Sequence, residues 1–392
     1  MCREFEYMGH LLLTGATGLL GRYLMKDLLL RGHDLAVLVR PSRRTSPYQR
    51  VEAAMRVWEA ELQRPLPRPR ILSGDINSPD LGLTGPELRW AAENVDGVIH
   101  NAASLSFVST GRDSEPWRSN VGGTRNVLEF CEQAEVRQFF HVSTAYVAGK
   151  RQGRVYEHEL NVGQEFSNPY EESKVEAEEM VRACRHLDSL TVFRPAIIVG
   201  DSQTGMTFTY HNFYVMLQLG LTLSQSMGEQ DFTGKIASQN FHINVDGHER
   251  KNLVPVDWVS EAMATIVSDE SLHGNTYHLS PRVPITVRLI RDVMEEVVGL
   301  YGLTFSGAGG TMGGTEIQEL FLKHMEVYHS YWKDDPEFDS SNTIAALPHL
   351  PCPLVDREML IRLSRAAIER SFNWRDPKVQ DLEPALVGAA AS

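Results

Sequence analysis

His10-Leu11-Leu12-Leu13-Thr14-Gly15-Ala16-Thr17-Gly18-Leu19-Leu20-Gly21 is the stretch on which the fold turns. Residues 10–14 form a compact apolar run, as expected of a strand buried on both faces, and 19–30 read as a helix. Glycine at 15, 18 and 21 lets the backbone turn tightly, approach a pyrophosphate and lay the helix close against the sheet. The helix start adds free N–H groups and positive potential. Thr14, Gly15, Ala16, Thr17, Gly18, Leu19, Leu20 and Gly21 are therefore expected to bind a dinucleotide. Glycines in a turn arise easily, and a purely structural strand-to-helix connection is the alternative. The strand before, the helix after and the place near the N-terminus favour binding.

Working outward, the first half alternates short apolar runs with helical patterns, the signature of a parallel sheet covered by helices. Strands are expected at 10–14, 35–40, 70–74, 97–101, 138–143 and 190–194, and helices at 19–30, 48–62, 86–92, 120–134 and 170–185. After Pro195 the regularity weakens, and 200–250 is polar with interleaved aromatics (Phe208, Tyr210, Phe213, Tyr214, Phe232). Helices follow at 257–268 and 286–298, with a strand at 276–279. Residues 306–314 read as a flexible linker, and helices at 316–332 and 356–372 precede a tail of small residues. The expected fold is α/β: a Rossmann-type doubly wound parallel sheet with a smaller, mostly helical C-terminal substrate domain. Residues 1–200 would form the nucleotide-binding part, with 251–280 returning to it, and 201–250 and 281–392 the substrate-binding region.

The 392 residues are 42% hydrophobic and 23% charged, which excludes disordered, collagen-like and low-complexity chains and provides for a sizeable core. Lys and Arg number 38 against 51 Asp and Glu, a net charge of −13, so no nucleic-acid partner is expected and an anionic ligand must meet a local basic patch. Cys2, Cys131, Cys184 and Cys352 show neither CxxC nor finger spacing, which fits a reducing cytosol. The N-terminal residues lack the features of a signal peptide, and no apolar run approaches the ~20 residues that cross a bilayer. A cytoplasmic location without an integral membrane segment is expected. No metal is expected from the fourteen histidines, which form no HExxH. His100 and His141, at the ends of buried strands, read as satisfied core histidines.

The end of the second strand selects the cofactor. Arg40, Arg43, Arg44 and Arg50 stand there, with no carboxylate between Asp34 and Glu52. Arginine forks match a ribose 2′-phosphate, which favours NADPH over NADH; a solvated basic face is the alternative. At other strand ends Asp75 and Ile76 can meet adenine, and Asn101, Ala102 and Ala103 lie where the cofactor backbone would pass. Pro195 and Ile197 belong to a rigid apolar run suited to a nicotinamide ring.

Tyr170 and Lys174 are spaced i, i+4 on a predicted helix, so both side chains share one face. An ammonium beside a phenol would lower its pKa and let it exchange a proton with a substrate oxygen near neutral pH. An exposed helical pair is the structural alternative. Thr144, with Ser143 as second choice, ends the fifth strand and can donate to an oxyanion beside the tyrosine.

These segments resemble the extended short-chain dehydrogenase/reductase family and, within it, the thioester-reductase branch of carboxylic acid reductase domains and fatty acyl-CoA reductases. The resemblance covers about residues 9–300. It is carried by Val39-Arg40, Gly74-Asp75…Pro79…Leu81-Gly82-Leu83, Asn120-Val121-Gly122-Gly123-Thr124, Val142-Ser143-Thr144 and Gly200-Asp201-Ser202…Thr204-Gly205. It implies NADPH binding by the glycine turn, Arg40, Arg50, Asp75, Ile76, Tyr170 and Lys174, and catalysis by Thr144, Tyr170 and Lys174. With no adenylation or carrier domain ahead of it here, the chain is expected to receive an activated acyl group or to act on a free carbonyl. Ala145-Tyr146 stands where dehydratase-type members carry an acidic pair, which disfavours sugar dehydration.

The leading expectation is an NADPH-dependent reductase acting on the carbonyl of a small-molecule or carrier-bound acyl thioester, or of an aldehyde or ketone. The alternatives are a sugar-nucleotide or cyclic-alcohol dehydrogenase or epimerase on the same scaffold, and a non-catalytic NADPH-binding protein.

Overall fold

The computed structural model describes residues 9–226, 245–299 and 333–377, with short pieces at 241–243, 301–305, 307 and 379. Seven strands build the central sheet: β1 His10–Thr14, β2 Leu35–Val39, β3 Arg70–Ser73, β4 Val95–His100, β5 Gln138–Val142, β6 Ser189–Pro195 and β7 Thr276–Leu279. Their order is β7-β6-β5-β4-β1-β2-β3, and every pair is parallel. The chain winds outward from β1 to β3, then crosses back to β4 on the other side of β1. The crevice at the carboxyl ends of β1 and β4 is where such sheets bind ligands.

β1 is continuously apolar because it feeds two cores. Leu11 and Leu13 join Tyr23, Leu24 and Trp58 on one face, while Leu12 joins Val98, Val127 and Phe139 on the other. The first face is covered by α1 Leu19–Leu30, α2 Pro47–Leu62 and α7 Val256–Val267; α3 Gly85–Asn94, α4 Thr124–Gln133 and α5 Pro169–Ala183 lie on the second. Local chemistry starts these helices. Ser46 and Gln49 close a capping box around Pro47, and the Asn168 side chain accepts from the Glu171 N–H (3.0 Å) ahead of Pro169.

The remaining helices are α6 Phe213–Ser226, α8 Val287–Val298, α9 Ser341–Ala346 and α10 Arg357–Glu369. α6, α8 and α10 pack on one another. The short parallel pair Ile197–Val199 with Leu253–Pro255 ties this region to the carboxyl edge of the sheet.

Several boundaries differ from the sequence reading. The helix expected at 86–92 is longer and runs straight into β4. The one expected at 120–134 opens as a π-helical turn, Arg118–Gly123, before α4. Helix α6 was not expected: its apolar residues do not fall on one stripe, because it is packed by both α8 and α10. Its Gly220, a helix-weakening residue by propensity, sits where Met294 and Val298 of α8 come close. The helix predicted over 316–332, all of the predicted linker but Gly307, and Phe232 lie outside the described residues.

Candidate active site

The strand ends open into a cleft of about 960 Å³, large enough for an extended ligand. Of the expected binding residues, Gly15, Thr17, Gly18, Leu19, Leu20, Arg40, Arg50, Asp75, Ile76, Asn101, Ala102, Ala103, Pro195 and Ile197 line it. Thr144, Tyr170 and Lys174 line the same cleft, so residues distant in sequence meet there.

Thr14, Ala16 and Gly21, expected in the same role, are not part of that lining. Gly21 makes the close approach of α1 to the turn possible, since a Cβ there would collide with the Gly15 carbonyl. Gly15 adopts φ +70°, and a Cβ on it would come within 2.8 Å of the Ala102 nitrogen. Ala16 is buried. Thr14 is bound inward: its hydroxyl meets His100 Nδ1 (3.0 Å) and accepts from the N–H groups of Asn101 (3.1 Å) and Ala102 (3.0 Å).

That network assigns the His100 tautomer. Thr124 donates its hydroxyl proton to the Asn120 carbonyl (2.6 Å), so it can only accept at His100 Nε2 (3.0 Å). Nε2 therefore carries the proton and Nδ1 accepts from Thr14. Burial, with Lys174 nearby, pushes the imidazole down to about 3 and keeps it neutral. His100 is a satisfied core histidine, as expected. His141 is not: it is equally buried, but neither ring nitrogen has a hydrogen-bond partner among the described residues.

One end of the cleft is built from the turn and the ends of β2 and β3. Arg50 donates to Thr17 Oγ1 (2.6 Å) and to the Arg40 carbonyl (2.8 Å). The Arg40 side chain is exposed, with Asp75 3.9 Å away. Arg43 and Arg44 sit on the exposed loop beyond and are not part of the lining. α1 begins at Gly18 without a side-chain cap. Asn77, which sequence reasoning missed, lines this end and holds a buried Oδ1 with no partner among the described residues. Glycines that admit close approach, an uncapped helix start, flanking arginines and an unmet amide acceptor together fit a dinucleotide.

Away from the glycine turn, Tyr170 lines the cleft beside Thr144, whose side chain acts to lower the phenol's pKa. Burial nevertheless pushes the phenol up to about 12. Lys174 is buried, and its Nζ donates to the Val142 carbonyl (2.7 Å). Burial lowers its pKa to about 8, with Glu178 opposing the shift. The expectation of an ammonium-acidified phenol is thus corrected for the free chain: helical spacing brings the two side chains to one face, but the ammonium turns to the end of β5. A second pair with the same spacing, Tyr146 and Lys150, does not assemble. The Tyr146 hydroxyl donates to Asp335 (2.7 Å), and Lys150 pairs with the exposed Glu165.

Residues 104–108 also line the cleft, and the ring of Phe107 meets Tyr170 edge-on at 5.9 Å. Asn120 clamps this loop to α5. Its carboxamide exchanges two hydrogen bonds with the Ser104 backbone (2.8 and 3.1 Å) and donates to Ser173 Oγ (2.9 Å). The rule that ligands gather beyond strand ends could have found this loop, since it leaves β4. Of the aromatics in 200–250, Tyr214 reaches the cleft with Thr209, His211 and Asn212, whereas Phe208 and Phe213 belong to the core. No signal in the sequence marks that division.

Sheet order, glycine turn and the Thr–Tyr–Lys cluster define a dinucleotide-binding domain of the extended short-chain dehydrogenase/reductase type. The chain belongs to the NAD-binding family described as Male sterility protein, whose sequence model matches residues 13–263. That membership places it among the NAD(P)-dependent oxidoreductases. The isonitrile lipopeptide synthase of Mycobacterium tuberculosis is 30% identical over 68% of this chain and 11% of its own length. The carboxylic acid reductase of Mycobacterium marinum is 25% identical over 68% of this chain and 24% of its own length. The chain thus spans about a quarter or less of these two relatives. The crystal structure of the terminal R domain from the myxalamid PKS-NRPS pathway superimposes with a TM-score of 0.74 at 25% identity, covering 94% of this chain and 92% of that one. Among the described residues no helix is long and apolar enough to cross a membrane.

Proposed function

We propose that this chain is an NADPH-dependent reductase acting on the carbonyl of a thioester, carried by coenzyme A or a carrier protein, or of an aldehyde or ketone. The observation that carries the reading is that Thr144, Tyr170 and Lys174 line the same cleft as the glycine turn. A bound nicotinamide would supply hydride. Thr144 and Tyr170 would hold the carbonyl oxygen, and Tyr170 would deliver the proton. Its phenol, held at about 12, is fully protonated at neutral pH and so available as an acid. With a thioester, the C–S bond of the resulting hemithioacetal breaks to give aldehyde and thiol. Lys174 would orient the cofactor and add positive charge behind the phenol.

Arg40, exposed at the end of β2, is assigned the 2′-phosphate, and Asp75, Ile76 and Asn77 the adenine. Residues 201–250 and 281–392 are assigned to the substrate, supported by Thr209, His211, Asn212 and Tyr214 in the lining. A cytoplasmic setting agrees with the free thiols of Cys131, Cys184 and Cys352.

The test is NADPH consumption with a panel of acyl-CoA and acyl-pantetheine thioesters beside simple ketones and UDP-sugars. Turnover of thioesters supports the reading, and turnover of UDP-sugars alone rejects it. Arg40→Ala should weaken NADPH about tenfold while leaving NADH nearly unchanged; an equal loss for both would remove Arg40 from 2′-phosphate recognition.

The reaction should also depend on pH. kcat/KM reports groups of the free enzyme, and the reductive direction needs both the phenol proton and the Lys174 charge. With Lys174 lowered to about 8, kcat/KM should be level below that pH and fall above it. Lys174→Met should remove this limb from the residual activity. A wild-type profile flat to pH 10 would show that the ammonium is not required.

A further inference from the structure

Beyond α10 the chain reaches back to the glycine turn across 354 residues of sequence. Arg22, in the first turns of α1, donates through Nε to the Thr17 carbonyl (3.0 Å). Its Nη1 and Nη2 take the two carboxylate oxygens of Asp376 at 2.6 and 2.8 Å. Asp376 also accepts from the Trp374 indole N–H (2.8 Å). The guanidinium, whose side chain is only 8% exposed, lies over the Phe208 ring at 4.6 Å. Phe208 in turn meets Trp374 edge-on at 4.7 Å. From the other side Arg50 holds Thr17 Oγ1. Thr17, a wall of the nucleotide end of the cleft, is therefore gripped at its carbonyl and its hydroxyl by two arginines, one of them anchored by the C-terminal segment.

We propose that Asp376 is a positioning residue for the cofactor turn: its two-pronged bond to Arg22 fixes the Thr17 peptide and thereby sets the affinity of the cleft for the dinucleotide. The inference rests on the glycine turn as the nucleotide site and not on the identity of the acyl substrate. A carboxylate matches both arms of a guanidinium at once and fixes its plane. Without it, a nearly buried cation lacks its counter-charge, and the Arg22 side chain leaves the ring stack for solvent. The Thr17 carbonyl then loses its donor, and a turn that was organised before binding must be ordered during it. Electrostatics alone predicts the opposite sign. Asp376 is an anion beside Arg22 and Arg50, so its removal would make the turn more positive and tighten a phosphate-bearing ligand. The direction of the change separates positioning from charge.

The measurement is the Kd of NADPH and of NADH for the full chain, read by nicotinamide fluorescence, which needs no carbonyl substrate and so stands apart from the thioester reading. Asp376→Ala should weaken both cofactors about tenfold, because the Thr17 peptide serves the part they share. With a turned-over substrate, KM for the cofactor should rise while kcat at saturation holds. Asp376→Glu should recover most of the affinity. Should the alanine variant not fold, Asp376→Asn, which keeps the volume and one acceptor, should show an intermediate loss. Glu261→Ala is the control. It breaks the Arg31–Glu261 pair (2.6 Å) at the far end of the same helix and should leave Kd unchanged. The proposal is overturned if Asp376→Ala binds equally or more tightly, if it weakens NADPH alone, or if Glu261→Ala weakens binding as much.

Discussion

Tyr170→Phe is expected to lower kcat about a thousandfold while cofactor affinity stays within about twofold of wild type. The substitution removes one oxygen and keeps the ring, so the edge-on contact with Phe107 and the start of α5 survive. What is lost is a phenol that lines the cleft with Thr144 and carries its proton at neutral pH. Thr144 retains its contact with the Pro195 carbonyl (3.4 Å) and still caps the Tyr146 N–H (3.2 Å), so the backbone at the end of β5 should not move. Thr144→Val should cost less, about a hundredfold, since it removes an oxyanion donor and leaves the acid. Single-turnover rates with the preferred carbonyl substrate, beside cofactor titrations, separate chemistry from binding. Turnover of Tyr170→Phe within about fivefold of wild type would remove the phenol from the mechanism.

Glu178→Ala should destabilise the fold by about 3–5 kcal/mol, the usual result of deleting one member of a buried pair. Glu178 and Arg194 have fully buried side chains, joined by bonds of 2.6 and 3.1 Å. Arg182 adds two more to the same carboxylate at 3.0 and 2.8 Å. Arg194 also donates to the Glu159 carbonyl (2.7 Å) and sits directly before Pro195 of the cleft wall. Removing the carboxylate leaves that guanidinium buried and unneutralised. Burial alone would raise the Glu178 carboxyl, but Arg194 and Arg182 outweigh it and hold it below the usual carboxylate range. Its stabilisation is therefore present above the unfolded-state pKa and is lost as pH falls through the lower folded value. Urea unfolding near pH 7 and near pH 3 should show the gap between wild type and Glu178→Ala shrinking at the acid end. A loss under about 1 kcal/mol at pH 7 would mean that the surroundings compensate for the missing charge.

The acid limb of stability has a counterpart in Glu171, whose carboxyl burial raises to about 7 despite bonds from Ser167 and Asn168. The folded state there binds more protons than the unfolded one, so its contribution declines as pH rises from about 4.5 to 7. Two glutamates about two turns apart on α5 thus tilt stability in opposite directions, because burial dominates at Glu171, with the Asp335 carboxylate adding to it, whereas guanidinium groups outweigh burial at Glu178.

Much was legible before any coordinate. Leu11–Leu13 read as a strand between two cores, and three glycines followed by a helix prescribe a tight turn that lets α1 lie close against the sheet. The Tyr170–Lys174 spacing put two side chains on one helix face, and that helix starts within a residue of where it was expected. These are local statements: backbone sterics, side-chain periodicity and hydrogen bonding over a few residues settle them, and the chain needs no partner from elsewhere to make them true.

Other features were decided only by packing. Helix α6 is shaped by α8 and α10 rather than by a stripe of its own. The Tyr146–Lys150 pair repeats the Tyr–Lys spacing yet is pulled apart by Asp335 and Glu165, which lie far off or across a loop. The direction of the Lys174 ammonium, the burial that raises the Tyr170 phenol, and the grip of Asp376 on Arg22 all depend on what the fold brings alongside. Spacing along a chain determines which face a side chain occupies; its protonation and its partner follow from the dielectric and the charges that surround that face, and those belong to the assembled molecule alone.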